Sequence, residues 1–474
     1  MATARTDFAQ FDSQVQARRA LLRKELGFID LIFAQVLLVV IPDFFGTAVK
    51  AGPSHVALWL VAIALFFIPQ ALVVCHLNQR MPLEGGLYEW ARLAFNDGLG
   101  FLVGWNLWLY VILYVASVGL VAANFLAYAL PSAAAGAATN KWMITAASVF
   151  LIAVLMLIAH WGLRVGKWVI NTGSLLTIVV LALLAVVPFA HAWRGLPDYH
   201  PLRLVAPSLS LFNLNVFSKM TFGALCGFEY VAIFGGESRN PARNVTRAVF
   251  ITAPLIAALY ILGTSGILAF VSPETVDIIA PIPQALTLGL HSLALARIVV
   301  PLAILLLFSN YLASFCINFS ANTRLPMVAG WDHLLPKWFT QLHATHRTPV
   351  NSILFLGGVT MAASIGVLVG VGEQEAFSLL QIWGFTFYGL AYLALFAVPL
   401  LAKKETGLRP KLWLKVAAVS GLAVTLLFVL LSAFPIIPVP SQSAYTAKTL
   451  TVLAGANLAG VLIYYSARRR RVVH

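Results

Sequence analysis

Two carboxylates stand where a chain this apolar should carry none. Asp43 follows the run Val36-Leu37-Leu38-Val39-Val40-Ile41-Pro42 and precedes Phe44-Phe45-Gly46-Thr47. Glu229 closes the stretch Phe222-Gly223-Ala224-Leu225-Cys226-Gly227-Phe228. An acid in hydrocarbon is costly unless it has a partner or a task, so each marks a candidate site. Asp43 has two readings. It can cap the free N–H groups of the helical turn that follows, or it can hold an ammonium group or a coupling cation. A neutral serine would cap as well without burying a charge, which keeps the second reading open. An anion there favours an amine, a cationic amino acid, or a substrate balanced by a bound cation. Glu229 can be a proton-coupling or gating group, or a neutral helix acid with a structural role. Lys219, in the same run, is expected to snorkel toward the outer interface.

Other polar residues suit the walls of such a site. Tyr110, Tyr114 and Ser117 share one apolar run, and Ser309, Asn310, Tyr311 and Ser314 share another; interhelical hydrogen bonds are the competing explanation. Asn310 and Ser314 lie on one helix face, so an oxygen-lined sodium site is an option. Phe222 and Phe228 flank the second acid-bearing stretch and either close over a ligand or pack. Cys75, Cys226 and Cys316 fall inside apolar runs at no metal-ligand spacing, so neither a disulfide nor a zinc site is expected. His343 and His346 read as solvated. No phosphate-binding loop, nucleophile elbow or facing acid pair occurs, which argues against an ATP-driven machine and an enzyme, and no bound cofactor is implied.

The elements that must position these residues are membrane helices. Of 474 residues, 60% are hydrophobic and 10% charged, more apolar surface than a soluble core can hide. A bilayer core of ~30 Å needs ~20 apolar residues per helix. Such runs occur near 26–49, 55–78, 97–129, 141–161, 165–190, 211–235, 244–270, 293–323, 348–371, 376–402, 411–434 and 447–467. They are continuously apolar rather than alternating, which predicts helices and not strands. The connections are short, so one membrane domain is expected, with a short interfacial helix over Trp331–Leu342.

The net charge of +14 reports topology rather than nucleic-acid binding. With a cytoplasmic N-terminus, that side collects 24 basic residues, among them Arg18, Arg80, Arg164, Arg239, Arg324 and Lys403. The opposite side holds 6: Lys50, Lys141, Arg194, Arg203, Arg297 and Lys448. Both termini are then cytoplasmic, in an inner membrane, and Arg468–Arg471 becomes a stop and an anionic-lipid contact. Residues 1–25 lack the apolar core of a cleavable signal, so the first span is expected to direct insertion.

The acid-bearing interruptions fall in spans 1 and 6. Proline removes a backbone donor at the first, and glycines permit unwinding at the second. Two broken helices five spans apart are what an inverted-repeat transporter would show, with half-helix ends meeting near the midplane.

Several motifs then carry a resemblance. Pro82-Leu83-Glu84-Gly85-Gly86-Leu87-Tyr88 with Trp90, Gly100-Phe101 and Gly104-Trp105 come first; Gly227-Phe228-Glu229 and Glu237-Ser238-Arg239-Asn240-Pro241 with Arg243 follow. Arg324, Ala329-Gly330-Trp331-Asp332, Leu335-Pro336 and Arg347-Thr348-Pro349 complete the series. In this order, over about residues 26–400, the chain resembles the amino acid/polyamine/organocation superfamily of secondary transporters. The resemblance implies an all-α fold of about twelve transmembrane helices: a ten-helix inverted-repeat core over 26–402, two further helices over 403–467 and a basic tail over 468–474. It implies alternating access, and a substrate held by residues such as Ile41, Pro42, Asp43, Phe44, Gly46, Thr47, Tyr110, Tyr114, Phe222, Gly223, Ala224, Cys226, Gly227, Phe228, Glu229 and Asn310. Asp43, Glu229, Thr177, Ser309 and Ser314 are its implied coupling or gating positions.

Two departures bear on chemistry. Members usually carry a Gly-Ser-Gly type break in helix 1, where this chain has Ile41-Pro42-Asp43. Many carry a lysine in helix 5, where this chain aligns Thr177. The coupling ion, proton or sodium, therefore stays open. The expected function is a symporter or exchanger of amino acids or related amines. A polyamine-specific permease and a membrane sensor that binds the same ligands without moving them are the alternatives.

Overall fold

The computed structural model describes residues 28–81, 86–161, 166–195, 199–200, 205–229, 241–291, 296–328, 337–343, 348–401 and 410–472. Among them all regular structure is helical. The first span is two helices, α1 (Phe28–Val39) and α2 (Asp43–Val49), bent by 56° at the residues between them. The reason is local: Pro42 has no N–H to continue the ladder, and Ile41 N–H turns back to the Val39 carbonyl. Next come α3 (Gly52–Arg80), the short, largely buried helix α4 (Leu87–Ala94) and α5 (Asp97–Ala129). Then follow α6 (Lys141–Trp161), α7 (Gly166–Trp193) and α8 (Leu211–Leu225). The second half holds α9 (Pro241–Leu268), α10 (Pro281–Leu290), α11 (Ala296–Val328), α12 (Val350–Gly366), α13 (Glu373–Leu401), α14 (Leu412–Leu431) and α15 (Gln442–Val472).

Nine helices among the described residues are long and apolar enough to cross a membrane, and ten if the bent α1–α2 pair is one span. Of the remaining expected spans, α12 is apolar but shorter, and α8 is the described part of the sixth. The expected interfacial helix appears only as Lys337–Thr340, residues 331–336 lying outside the described set. Leu83, Glu84, Gly85, Glu237, Arg239, Arg347 and the segments 1–25 and 403–409 also lie outside it.

The centre of the bundle is α13 packed along α5, with α1 held between α7 and α9. The ring contacts at this centre are close: Tyr110 of α5 stacks on Tyr388 of α13 at 4.5 Å between centroids. At the periphery α15 exposes Leu450, Leu458 and Leu462, the surface a helix presents to lipid rather than water.

One end of the bundle, opposite Phe28 and here called distal, is closed by the loop between α9 and α10. Lys50 Nζ donates to the Pro273 carbonyl at 2.7 Å, and Gln374 Nε2 donates to Asp277 at 2.7 Å. Between these ties Ile278 rests on Gly46 so closely that a Cβ there would lie 2.9 Å from the Ile278 Cα. Half-helix α2, this loop and the start of α13 are thus one packed unit.

Candidate functional site

Asp43 opens α2, yet it makes no capping bond to the turn that follows. Its carboxylate instead accepts the Tyr311 hydroxyl of α11 on one oxygen and the Gln381 amide of α13 on the other. The residue is 3% exposed. Both partners are neutral, and among the described residues no lysine or arginine pairs with it. A carboxylate offers about four acceptor positions, so two donors leave room for a cation.

Asp43 lies on the wall of a small, partly open cavity on the distal side of the break. Phe44 and Thr47 join it from α2, Lys219 from α8, Phe377, Gln381 and Phe385 from α13, and Phe428 from α14. Phe44 meets Phe385 edge to face at 4.6 Å. The lining is therefore largely apolar and aromatic, with the Asp43 carboxylate, the Gln381 amide and the Lys219 side chain as its convergent polar groups, a makeup common to small-molecule sites.

Lys219 shares this cavity wall but does not snorkel. Its ammonium is buried and donates to Asn215 Oδ1 at 2.5 Å and to the Leu431 and Phe434 carbonyls at 3.1 and 2.5 Å. Leu431 ends α14 and Phe434 lies in the turn that follows, where a cation complements the helix dipole. All three ammonium donors are used, so the expectation of a side chain reaching for the interface is corrected to a buried helix cap.

The second break lies later than the glycine pattern suggests. Gly223 and Ala224 are helical in α8, and the chain leaves the helix at Cys226, which is extended (φ −74°, ψ 164°). Gly227 follows at φ +117°, a conformation other residues rarely adopt, and packs against the Leu38 carbonyl of α1. Gly223 has another purpose: a Cβ there would occupy the Phe44 ring. Glu229, 3% exposed, accepts the hydroxyls of Tyr388 and Tyr392, both on α13. Like Asp43, it has two neutral donors and no basic partner among the described residues.

The unwound backbone is stapled from outside at both breaks. The Tyr260 hydroxyl of α9 donates to the Val39 carbonyl at 2.9 Å and accepts from the Ile41 N–H at 3.0 Å. With its amide oriented to satisfy both ends, Gln70 of α3 donates to the Leu225 carbonyl at 2.7 Å. Its oxygen accepts from Gly227 N–H (3.2 Å) and Phe228 N–H (3.1 Å). These bonds satisfy groups that broken helices leave orphaned in a place without water.

Of the residues singled out from the sequence, Asp43, Phe44 and Thr47 line the cavity. Ile41 and Pro42 form the bend, and Gly46 lies under the distal loop. Tyr110 packs on Phe385 and Tyr388 behind the cavity wall, and Tyr114 meets Ser314 at 3.2 Å. Phe222 stacks on Phe428 at 4.5 Å and Phe228 on Phe67 at 4.8 Å, so neither lines the cavity. Cys226 is buried in the second break. Asn310 faces α7, its Oδ1 beside Gly173 and without a hydrogen-bond partner, and Thr177 returns to the Gly173 carbonyl at 3.1 Å. Ser309 is exposed and bonded to its own helix at Leu305, away from both breaks, so its expected wall position is corrected to the outer surface of the bundle. Side chains of Arg243 and Arg324 and all of His346 lie outside the description; His343 donates its backbone N–H to the Thr348 carbonyl. Among the described residues no group of histidines, cysteines and acids is arranged to hold a metal.

Sequence reasoning missed Gln70, Tyr260, Gln381, Phe385, Tyr388 and Tyr392. A signal existed for α13: Gln381, Tyr388 and Tyr392 sit at i, i+7 and i+11 in an apolar run, which places them on one face.

A sequence profile described as amino acid permease matches residues 26–461. The chain is 25% identical to an uncharacterized transporter of Legionella pneumophila over 73% of this chain and 74% of that one. It is 24% identical to the branched-chain amino acid permease BcaP of Bacillus subtilis, over 74% and 76% of the two chains. Identity to the probable agmatine/putrescine antiporter AguD of Lactococcus lactis is 22%, over 52% of each. The profile spans nearly all the apolar helices, and the chain belongs to the amino acid permease family, a family of multi-pass membrane transporters.

Proposed function

We propose that the protein is a secondary active transporter, a symporter or exchanger, that carries amines or related amino acids across the cytoplasmic membrane by alternating access. The observation that carries this reading is Asp43: a buried carboxylate on an aromatic-lined cavity, held by two neutral donors and lacking a basic partner among the described residues. An ammonium group supplies the missing charge through charge-assisted hydrogen bonds, and the rings accept its apolar body. A relative named for agmatine and putrescine supports the amine class. The relative named for branched-chain amino acids supports a second reading, in which Asp43 holds a coupling cation beside a neutral substrate.

The bend at α1–α2 and the unwound end of α8 support a ten-helix core over 26–402 in two inverted repeats, with two further helices over 403–467. The bias of basic residues supports cytoplasmic termini and an outward-facing distal end. Rocking of one repeat against the other would then expose the cavity alternately to the two sides.

A thermal-shift panel of amino acids, polyamines and monoamines, followed by uptake and counterflow in proteoliposomes, tests the proposal. A ligand that binds the folded state raises its melting temperature. Stabilisation and saturable counterflow by amines uphold the amine reading. Uptake of neutral amino acids alone moves Asp43 to the cation role. Binding without counterflow would make the protein a sensor and sink the transporter reading.

A further inference from the structure

A broken helix can recognise a carboxylate because unwinding bares backbone N–H groups. Among the described residues of both breaks, most of those donors are already engaged. At the first break Pro42 has none, and the Ile41 N–H is shared between the Val39 carbonyl and the Tyr260 hydroxyl, both at 3.0 Å. Phe44 and Phe45 donate to the Ile41 and Pro42 carbonyls, both at 3.2 Å. What remains is the N–H of Asp43, beside that residue's own carboxylate, which repels a second anion. At the second break Gly227 donates to the Tyr392 hydroxyl at 2.7 Å, and the Gln70 amide oxygen lies against both Gly227 and Phe228.

We propose that Tyr260 and Gln70 are specificity-determining residues: side-chain plugs that occupy the carboxylate-binding donors of both breaks, so that the site takes amines lacking an α-carboxylate. This inference rests on the reading of Asp43 as the ammonium partner. Its physical basis is that a carboxylate entering such a site loses its water and finds no donor in return, a cost an amine with an apolar body never meets. The aromatic wall of Phe44, Phe377, Phe385 and Phe428 suits that body. The two plugs come from different helices, α9 and α3, and each reaches the break nearest to it, so neither is a local accident of the unwound strand.

Matched pairs provide the test: leucine with 3-methylbutylamine, and lysine with cadaverine, each an amino acid and its decarboxylation product. Affinity and uptake are measured for wild type, Tyr260→Phe and Gln70→Leu in proteoliposomes, with melting temperatures as a check on folding. Wild type is expected to prefer at least one amine over its parent amino acid by about tenfold or more. Gln70→Leu frees the Phe228 N–H, and Tyr260→Phe leaves the Ile41 N–H with only the Val39 carbonyl two residues back. The ratio should therefore shift toward the amino acid by about threefold or more, most in Gln70→Leu, whatever the absolute activity. A purely structural role would lower both members of a pair by the same factor and leave the ratio fixed, which overturns the assignment. Wild-type uptake of amino acids equal to that of their amines overturns it even if no variant folds, while leaving transport intact. If no member of any pair binds or accumulates, the functional reading itself has failed, and this inference with it.

Discussion

Gln381 and Tyr388 stand two turns apart on one face of α13, and each holds a different acid: Gln381 donates to Asp43, Tyr388 to Glu229. Seven residues of α-helix span roughly 10 Å along the axis and return to nearly the same face. A single rigid helix therefore sets the spacing of the two carboxylates, one beside each break. Phe385 between them closes against both Phe44 and Tyr110.

That division of labour separates two substitutions. Gln381 lines the cavity, so Gln381→Leu should weaken amine binding about fivefold or more, through loss of one hydrogen bond to a charged group and a shifted carboxylate. Tyr388 does not line it, so Tyr388→Phe should lower turnover with little change in KM. Initial-rate uptake over a substrate series reads both; the reverse pattern would remove α13 from the mechanism.

Asp43→Asn keeps the shape and both neighbours but removes the charge. Binding of an amine should fall about a hundredfold, the equivalent of roughly 2–3 kcal/mol for a charge-assisted pair. The folded protein should persist, because no cation is stranded by the change. Unchanged affinity in a titration of the purified variant would dismiss Asp43 as the ammonium partner.

Two glycines differ in what they face. At Gly46 a methyl group would press on backbone at Ile278, which cannot step aside, whereas at Gly223 it would meet only the Phe44 ring. Gly46→Ala should lower both thermal stability and transport, and no single side-chain change nearby should restore them. Gly223→Ala should be substantially rescued by Phe44→Leu in stability, although not in substrate affinity. A double-mutant cycle on melting temperature that shows no coupling between 223 and 44 would contradict the packing.

Removing the ammonium at 219 takes the charged donor from Asn215 Oδ1 and from the Leu431 and Phe434 carbonyls, which keep only the neutral donors Phe434 N–H and Asn215 Nδ2. Lys219→Met should cost about 2–4 kcal/mol and loosen the distal end of α14 from α8. The check is hydrogen exchange at residues 428–436, which should rise in the variant. Protection equal to wild type would show that the cap carries no stability.

Sidedness follows from the basic-residue bias and can be read with one reagent. Cys75, Cys226 and Cys316 are buried and form a silent background. A cysteine at exposed Ser441, on the distal end, should react with a membrane-impermeant thiol reagent in intact cells. One at exposed Ser466 should react only after permeabilisation. The opposite labelling would invert the topology.

Composition and pattern by themselves determined that this chain lives in lipid, that it is helical, and where two helices would fail. Proline, glycine and acid stand out against hydrocarbon because each conflicts with a local rule, and a local rule needs only local sequence to be visible. The partners of those failures obey no such rule. Tyr260, Gln70, Gln381, Tyr388 and Tyr392 look like ordinary residues of apolar runs, and the Gln381 amide reaches Asp43 across 338 positions of chain. Only packing brought them together, since an orphaned N–H or carboxylate inside a bundle takes whatever donor or acceptor the neighbouring helices present. Lys219 shows the same limit: its charge is plain in the sequence, but the carbonyls that bury it belong to the end of a helix and the turn after it, more than two hundred residues away.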